Sequence, residues 1–132
     1  MSEPRGEPYS WALLRIVPRA ERGERINVGA AVYARRPGYL GLSYELDERR
    51  LRALDPRLDL DALRRQLDGL RRVADGDPDA GRVAAMSPAD RFGFIVAPSS
   101  TVLQPSPVHV GICPDDALTT TLDELIARYI RL

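Results

Sequence analysis

The sequence predicts an α+β fold in which an antiparallel sheet of about five strands carries three to four helices in a single domain. Two observations favour this class. Before residue 47, apolar residues form short runs or alternate with polar ones, and polar turns join the runs, as in strands. After residue 47, apolar residues recur at steps of three and four, as in helices packed on one face. A chain of 132 residues has the length of one ordinary domain.

Three consecutive strands are predicted between residues 9 and 46. Residues 1–8, which precede them, form a polar leader that we expect to be flexible. The first strand, Tyr9 to Val17, is an apolar run between two prolines, and we expect it to be covered on both faces. Period-two alternation places on one of its faces Tyr9, Trp11, Leu13, Arg15 and Val17. Since the turns are short, an antiparallel meander is the simplest topology for these three strands. The single domain is expected to span residues 9–132.

The second and third strands follow the same alternation. Ile26 to Ala34 should present one apolar face made of Ile26, Val28, Ala30 and Val32. Tyr39 to Leu46 should present one made of Leu40, Leu42, Tyr44 and Leu46.

Helical spacing begins at Asp47 and predicts a short helix to Leu54, which ends before the Asp55-Pro56 pair. A stronger helix is predicted from Asp59 to Ala74, with surface ion pairs four residues apart, Asp61 with Arg65 and Asp68 with Arg72. Residues 76–81 form a loop. Ser87 and Pro88 are a typical helix start, and that helix should end before Pro98.

The C-terminal third returns to extended chain before a last helix. Short strands are predicted at residues 101–103 and 108–112, around Pro105 and Pro107, which cannot lie in a central strand because proline has no backbone donor. Thr121 and Glu124 form a capping-box pattern that predicts the start of the final helix.

Composition limits the function classes. The 19 basic and 19 acidic residues cancel, which argues against a nucleic-acid binder that relies on a broad basic surface. Every basic residue is an arginine, so no phosphate-binding or Schiff-base lysine is available. No apolar run approaches the ~20 residues of a membrane-spanning helix. A single cysteine, Cys113, fits a reducing cytoplasm, where we expect the protein to reside.

Catalytic and metal signatures are weak. With one histidine and one cysteine, and no carboxylate cluster at a matching spacing, we expect neither a metal nor another cofactor. His109 and Cys113 would lie ~13 Å apart along a regular strand, which excludes direct proton transfer between them. We therefore expect no catalytic residues.

Arg15 is the sharpest anomaly, because a charge inside an apolar strand is costly unless it is paired. We predict a salt bridge from Arg15 to Glu24 or Glu45. The turn residues Arg22, Glu24 and Asn27 could hold an anion, or could simply form a solvated turn.

A second group of candidates lies in the proline-rich segment. Gln104, Ser106 and His109 are held by a stiff stretch of chain, where they could bind a ligand or merely brace the turn. We predict that this segment and the turn over residues 19–27 meet around Arg15, so that both groups would contribute to one ligand site.

Three motifs in order resemble a bacterial family of unknown function, DUF3037, over Tyr9 to about Arg131. They are Tyr9 with Leu14-Arg15-Ile16-Val17-Pro18, then Arg22-Gly23-Glu24 with Asn27-Val28-Gly29, then Thr101-Val102-Leu103-Gln104-Pro105-Ser106-Pro107 with His109. The resemblance implies a small single-domain bacterial protein without an established activity. Genes of this family often stand beside genes for HipA-like kinases, so the resemblance also implies such a kinase as a partner.

The sequence therefore favours a non-enzymatic interaction or regulatory module that acts with another protein, without nucleic acid or membrane. The alternative is a small enzyme or phosphate-ligand-binding domain with a site around Arg15, Arg22, Glu24, Asn27 and His109. Convergence of these residues in a concave pocket would favour the alternative, whereas their dispersal beside an exposed apolar patch would favour the interaction module.

Overall fold

The computed structural model of the protein describes residues 7–98, 101–113 and 117–131. Five strands and four helices follow one another along these residues, and the predicted α+β class is confirmed. The strands are β1 (Glu7–Ile16), β2 (Ile26–Ala34), β3 (Tyr39–Tyr44), β4 (Leu103–Pro105) and β5 (His109–Cys113). The helices are α1 (Glu48–Leu54), α2 (Leu60–Asp75), α3 (Pro88–Ile95) and α4 (Leu118–Leu125), and a π-helical turn, Ile126–Ile130, continues α4. Of the predicted leader, residues 1–6 lie outside the described part of the chain, and Glu7 and Pro8 belong to β1.

The strands form one antiparallel sheet in the order β3, β2, β1, β4, which confirms the predicted meander of the first three. β4 and β5 lie end to end along the same side of β1: β4 pairs with Leu14 to Ile16, and β5 pairs with Glu7 to Trp11. The proline-rich segment thus forms an edge of the sheet, where a missing backbone donor is tolerated. β4 begins at Leu103, later than predicted, and Thr101 and Val102 precede it.

Apolar side chains cover both faces of β1, as predicted. On one face, Leu14 and Ile16 pack in a core with side chains of α1, α2 and α3. On the opposite face, Leu13 packs in a second core with the C-terminal segment, including Leu122 and Ile126. We call these the α2 face and the α4 face of the sheet. Tyr9 and Trp11 pack on the α4 face, so alternation along β1 places Arg15 on that face as well.

A β-bulge in β2 makes the predicted single apolar face of that strand wrong. Leu14 faces Gly29 and Arg15 faces Asn27, so Val28 is an extra residue in β2. Ile26 and Val28 therefore contribute to the α2 face, whereas Ala30 and Val32, beyond the bulge, contribute to the α4 face. No such irregularity interrupts β3, and its predicted face, Leu40, Leu42, Tyr44 and Leu46, packs on the α2 face.

The helices confirm the predicted spacing but correct two details. The α2 ion pairs join residues three apart, Asp61 with Arg64 at 3.7 Å and Asp68 with Arg71, so the predicted pairs with Arg65 and Arg72 are wrong. Arg72 instead reaches past the end of α2 to Asp77, at 2.8 Å. Positions three and four apart are both neighbours on a helix, and spacing alone does not choose between them.

The predicted capping box of the last helix is also wrong. α4 begins at Leu118, four residues earlier than predicted, with Ala117 at its N-cap and no side-chain cap. Thr121 lies inside the helix, where its hydroxyl donates to the carbonyl of Ala117 at 2.9 Å. Burial of Leu118 in the α4 face core extends the helix backwards past the local signal.

Ser106 joins β4 to β5 and is a structural residue. Its backbone N–H donates to the carbonyl of Leu13 at 2.8 Å, and its side-chain oxygen accepts the N–H of Leu13 at 2.8 Å. The hydroxyl in turn donates to the carbonyl of Pro107 at 2.9 Å. The hydroxyl of Ser106 thus takes the place of the strand-to-strand hydrogen bond that the N–H of Leu13 would otherwise lack between β4 and β5. Ser106 is 4% exposed, so water could not satisfy that N–H instead.

Substituting Ser106 by alanine is expected to lower the free energy of unfolding by about 1–3 kcal/mol, because the buried N–H of Leu13 would lose its acceptor. Urea unfolding followed by circular dichroism measures this change. Ser43→Ala in β3 is the matched control, since no described hydrogen bond holds the Ser43 side chain and its loss should change stability by less than about 0.5 kcal/mol. Equal effects of the two substitutions would contradict the role given to Ser106.

Candidate functional site

Three of the predicted site residues form a polar row across the sheet. Arg15 in β1 has Asn27 of β2 as its neighbour on one side and Gln104 of β4 on the other. Directly opposed residues of antiparallel strands share a face, so the three side chains all lie on the α4 face. The bulge creates the row, because an unbroken register would place Val28 opposite Arg15. Residues 19–27 and the proline-rich segment were predicted to meet around Arg15. One residue of each does so, Asn27 from the first segment and Gln104 from the second.

The amide side chains of this row are held by main-chain carbonyls. Asn27 donates to the carbonyl of Tyr129 at 3.3 Å, which ties the bulge of β2 to the end of the C-terminal segment. Gln104 donates to the carbonyl of Thr101 at 2.8 Å. Neither amide is hydrogen-bonded to Arg15.

Arg15 does not form the salt bridge that was predicted for it. Glu24 pairs with Arg22 at 2.7 Å, and Glu45 pairs with Arg131 at 3.0 Å. Within the described residues, the buried Nε of Arg15 has no hydrogen-bond partner. Burial lowers the pKa of the Arg15 guanidinium below its ordinary value, and the positive charge of Arg25 lowers it further. The charge in the apolar strand thus stays uncompensated by any described side chain.

An aromatic stack lies on the same face, towards the other end of β1. The ring of Trp11 lies 4.5 Å from that of His109, its cross-strand partner, and 5.5 Å from that of Tyr129, measured between centroids. His109 is exposed, so it packs against Trp11 at the surface and does not reach into the polar row. The sequence pattern placed Trp11 on the correct face but did not single out Tyr129.

Arg22 and Glu24 lie apart from the polar row. They form an exposed ion pair of their own beside the end of α1, in a shallow cavity of about 430 Å³ that also contacts Pro18, Asp55 and Arg57. Hydrogen bonding and charge from Arg22 lower the pKa of the Glu24 carboxyl. The predicted convergence of all seven candidates is therefore wrong. Arg15, Asn27 and Gln104 lie together, and His109 lies on the same face but farther along β1. Arg22 and Glu24 pair with each other in the turn, and Ser106 bonds to the backbone of Leu13.

The α2 face carries an exposed apolar patch at the edge of the sheet. Val110 and Ile112 of β5 are 71% and 69% exposed, and Val108 beside them is 45% exposed. Next to β4 on this face, an apolar cavity of about 530 Å³ lies between the edge of the sheet, α2 and α3. Its lining includes Leu70, Phe94, Leu103 and Pro105. We call Val108, Val110 and Ile112 the β5 patch.

The comparisons with known proteins place the chain in a family. The profile of the family described as "Protein of unknown function (DUF3037)" matches residues 11–130, nearly the whole chain. The chain belongs to the DUF3037 family. No curated protein and no solved structure matches it significantly.

The DUF3037 match spans both groups of features on the sheet, since residues 11–130 include the polar row and the β5 patch. Across the described portion of this DUF3037 chain, no three His, Cys, Asp or Glu side chains come close enough to hold a metal ion. In the same portion, no helix is long and apolar enough to cross a membrane.

Proposed function

We propose that this DUF3037 protein is a non-enzymatic interaction module that binds an extended segment of a partner protein along β5. The observation that carries the proposal is the β5 patch, an edge strand with two apolar side chains that are about seven-tenths exposed. Exposed apolar surface at an unpaired strand edge is typical of sites where a second chain adds a strand.

The backbone of β5 supports this mode of binding. The backbone N–H and C=O of Leu13 both bond to Ser106, on the side of β1 where β5 lies. Backbone groups alternate in direction along a strand, so the N–H and C=O groups of Trp11 and Tyr9 also point towards β5. Their partners His109 and Gly111 then face β1, and the N–H and C=O groups of Val110 and Ile112 point away from the sheet. No other described segment pairs with this side of β5. An extended peptide could use these groups while its alternate side chains pack on Val110 and Ile112.

The two halves of this edge differ in how they are protected. Pro105 ends β4 and Pro107 follows it, and prolines at an edge prevent further pairing. β5 contains neither a proline nor a charged residue, the two devices that usually block an edge strand. The partner strand is therefore expected along β5 rather than β4, with apolar residues at every second position.

The dispersal of the polar candidates also favours binding over chemistry. Among the described side chains, His109 makes no hydrogen bond to a nucleophile, and its ring packs at a tilt against Trp11. A binding module needs none of this machinery, because an exposed strand and its apolar patch supply backbone and side-chain contacts. A HipA-like kinase, the partner that the family resemblance implies, is the one that we propose to test first.

The test is co-expression of the protein with the HipA-like kinase of its own host, followed by size-exclusion chromatography. We expect a complex that elutes ahead of either protein alone. Turnover of a small phosphorylated or acylated compound that disappears in His109→Ala, together with failure to form the complex, would overturn the interaction module in favour of an enzyme.

A further inference from the structure

We propose that Arg15 and Arg25 form a binding site for a phosphate dianion on the α4 face of the sheet, at the β-bulge of β2. The site is separate from the β5 patch, which lies on the opposite face. Three features carry the proposal: an uncompensated guanidinium in a strand, a second arginine two residues before its cross-strand partner, and a bulge that shapes the surface around them.

The first feature is the environment of Arg15. Its Nε is buried without a hydrogen-bond partner among the described residues. Its two terminal nitrogens are not buried in this way, and no described residue accepts a hydrogen bond from them. A guanidinium that loses water without gaining an acceptor costs free energy. The terminal nitrogens remain available to a ligand, and an anion bound there would offset the cost of burying the rest of the group.

The second feature is the charge of Arg25, which precedes β2 directly. Arg25 is exposed and stands two residues before Asn27, the cross-strand partner of Arg15. Diagonal neighbours at this spacing lie within reach of long side chains, and the charge of Arg25 lowers the pKa of Arg15 by repulsion. No carboxylate in the described ranges pairs with either arginine, and the nearest candidates by sequence, Glu24 and Glu45, are bound to Arg22 and Arg131. Two neighbouring positive charges without a counter-ion favour an anion with two negative charges over one with a single charge.

The third feature is the bulge at Val28. Bulges redirect side chains and are frequent beside functional sites. Here the bulge sets Asn27 beside Arg15, and the bond from Asn27 to the carbonyl of Tyr129 fixes that neighbour in place. Gln104 is held by its bond to Thr101 on the other side. Arg15 is thus bounded on both sides by anchored amides that do not compete for its terminal nitrogens.

The experiment is a titration of the ¹⁵N-labelled protein with inorganic phosphate at pH 8 and constant ionic strength, where phosphate is mainly a dianion. We expect saturable shifts of the backbone amide signals of Arg15, Asn27 and Gln104. Acetate, a monoanion, should bind at least about tenfold more weakly.

Two variants test the assignment to these arginines. Arg15→Met and Arg25→Ala should each weaken phosphate binding about tenfold or more, the equivalent of one charge-assisted hydrogen bond or ion contact. Arg65→Ala, which removes an exposed arginine from α2 on the other side of the sheet, should bind phosphate like the parent protein. Arg25 is exposed, so its substitution tests the site even if the Arg15 variant does not fold.

Three results would overturn the site: no saturable shift in the parent protein, equal affinities for acetate and phosphate, or unchanged binding in Arg25→Ala. None of them bears on the complex with a partner protein, because that complex is measured separately.

Discussion

Substitution of Gly29 by alanine is expected to lower the free energy of unfolding by about 2–3 kcal/mol, because the added methyl group overpacks a buried strand. Gly29 is buried at the bulge of β2, a central strand. A Cβ atom there would lie 2.9 Å from the backbone oxygen of Ser43 and 3.1 Å from the Cβ of Tyr44. Because β3 supplies both atoms, relief would require separation of two paired strands.

Guanidinium chloride unfolding of the variant and the parent protein measures this loss. Gly69→Ala is the matched control, because a Cβ at Gly69 meets nothing within 4 Å and the residue lies in α2. Alanine should raise stability at that position by about 0.5–1 kcal/mol, since it loses less backbone entropy in a helix than glycine does. If Gly29→Ala were as stable as the parent protein, the close packing of β2 on β3 at the bulge would be wrong.

Replacement of both Val110 and Ile112 by lysine is expected to weaken partner binding by about 100-fold or more. Two apolar side chains that become buried in a complex contribute about 3 kcal/mol or more, and charges in their place would also have to be desolvated. Stability of the free protein should change little, because both side chains are about seven-tenths exposed. Affinity measured by isothermal titration with the purified partner provides the test.

Met86→Lys is the control for this double variant. It makes the same type of change at an apolar side chain that is 49% exposed but lies outside β5, before α3. It should leave partner affinity unchanged. A double lysine variant that binds as tightly as the parent protein would show that the partner contacts another surface.

Local pattern predicted the elements well where packing follows the pattern. The period-two run of β1 and the helical spacing of α2 were confirmed because each element buries the residues that its own periodicity selects. The bulge at Val28 was not predicted. Asn27 and Gly29 beside it are residue types that strands disfavour, but only the pairing with β1 reveals which residue is extra. The bulge is also the reason that Asn27 reaches the row of Arg15.

Side-chain partnerships were the least predictable part of the candidate site. Arg15 was expected to bind Glu24 because an apolar strand disfavours a lone charge, yet Glu24 binds Arg22, two residues away in the same turn. A local ion pair requires no particular tertiary geometry, so Glu24 can pair with Arg22 wherever the fold places Arg15. The β5 patch was missed because Val110 and Ile112 are residue types that suit a core strand. They are exposed because the core on the α2 face does not extend as far as β5.

Amide hydrogen exchange at Val110 and Ile112, with and without the bound partner, tests the central claim most directly. In the free protein both amides point away from β1, and we expect them to exchange much faster than those of His109 and Gly111, which face it. In the complex, a strand added along β5 should slow exchange at Val110 and Ile112 by about 100-fold or more. Unchanged exchange at both amides in a complex that has demonstrably formed would contradict strand addition at β5.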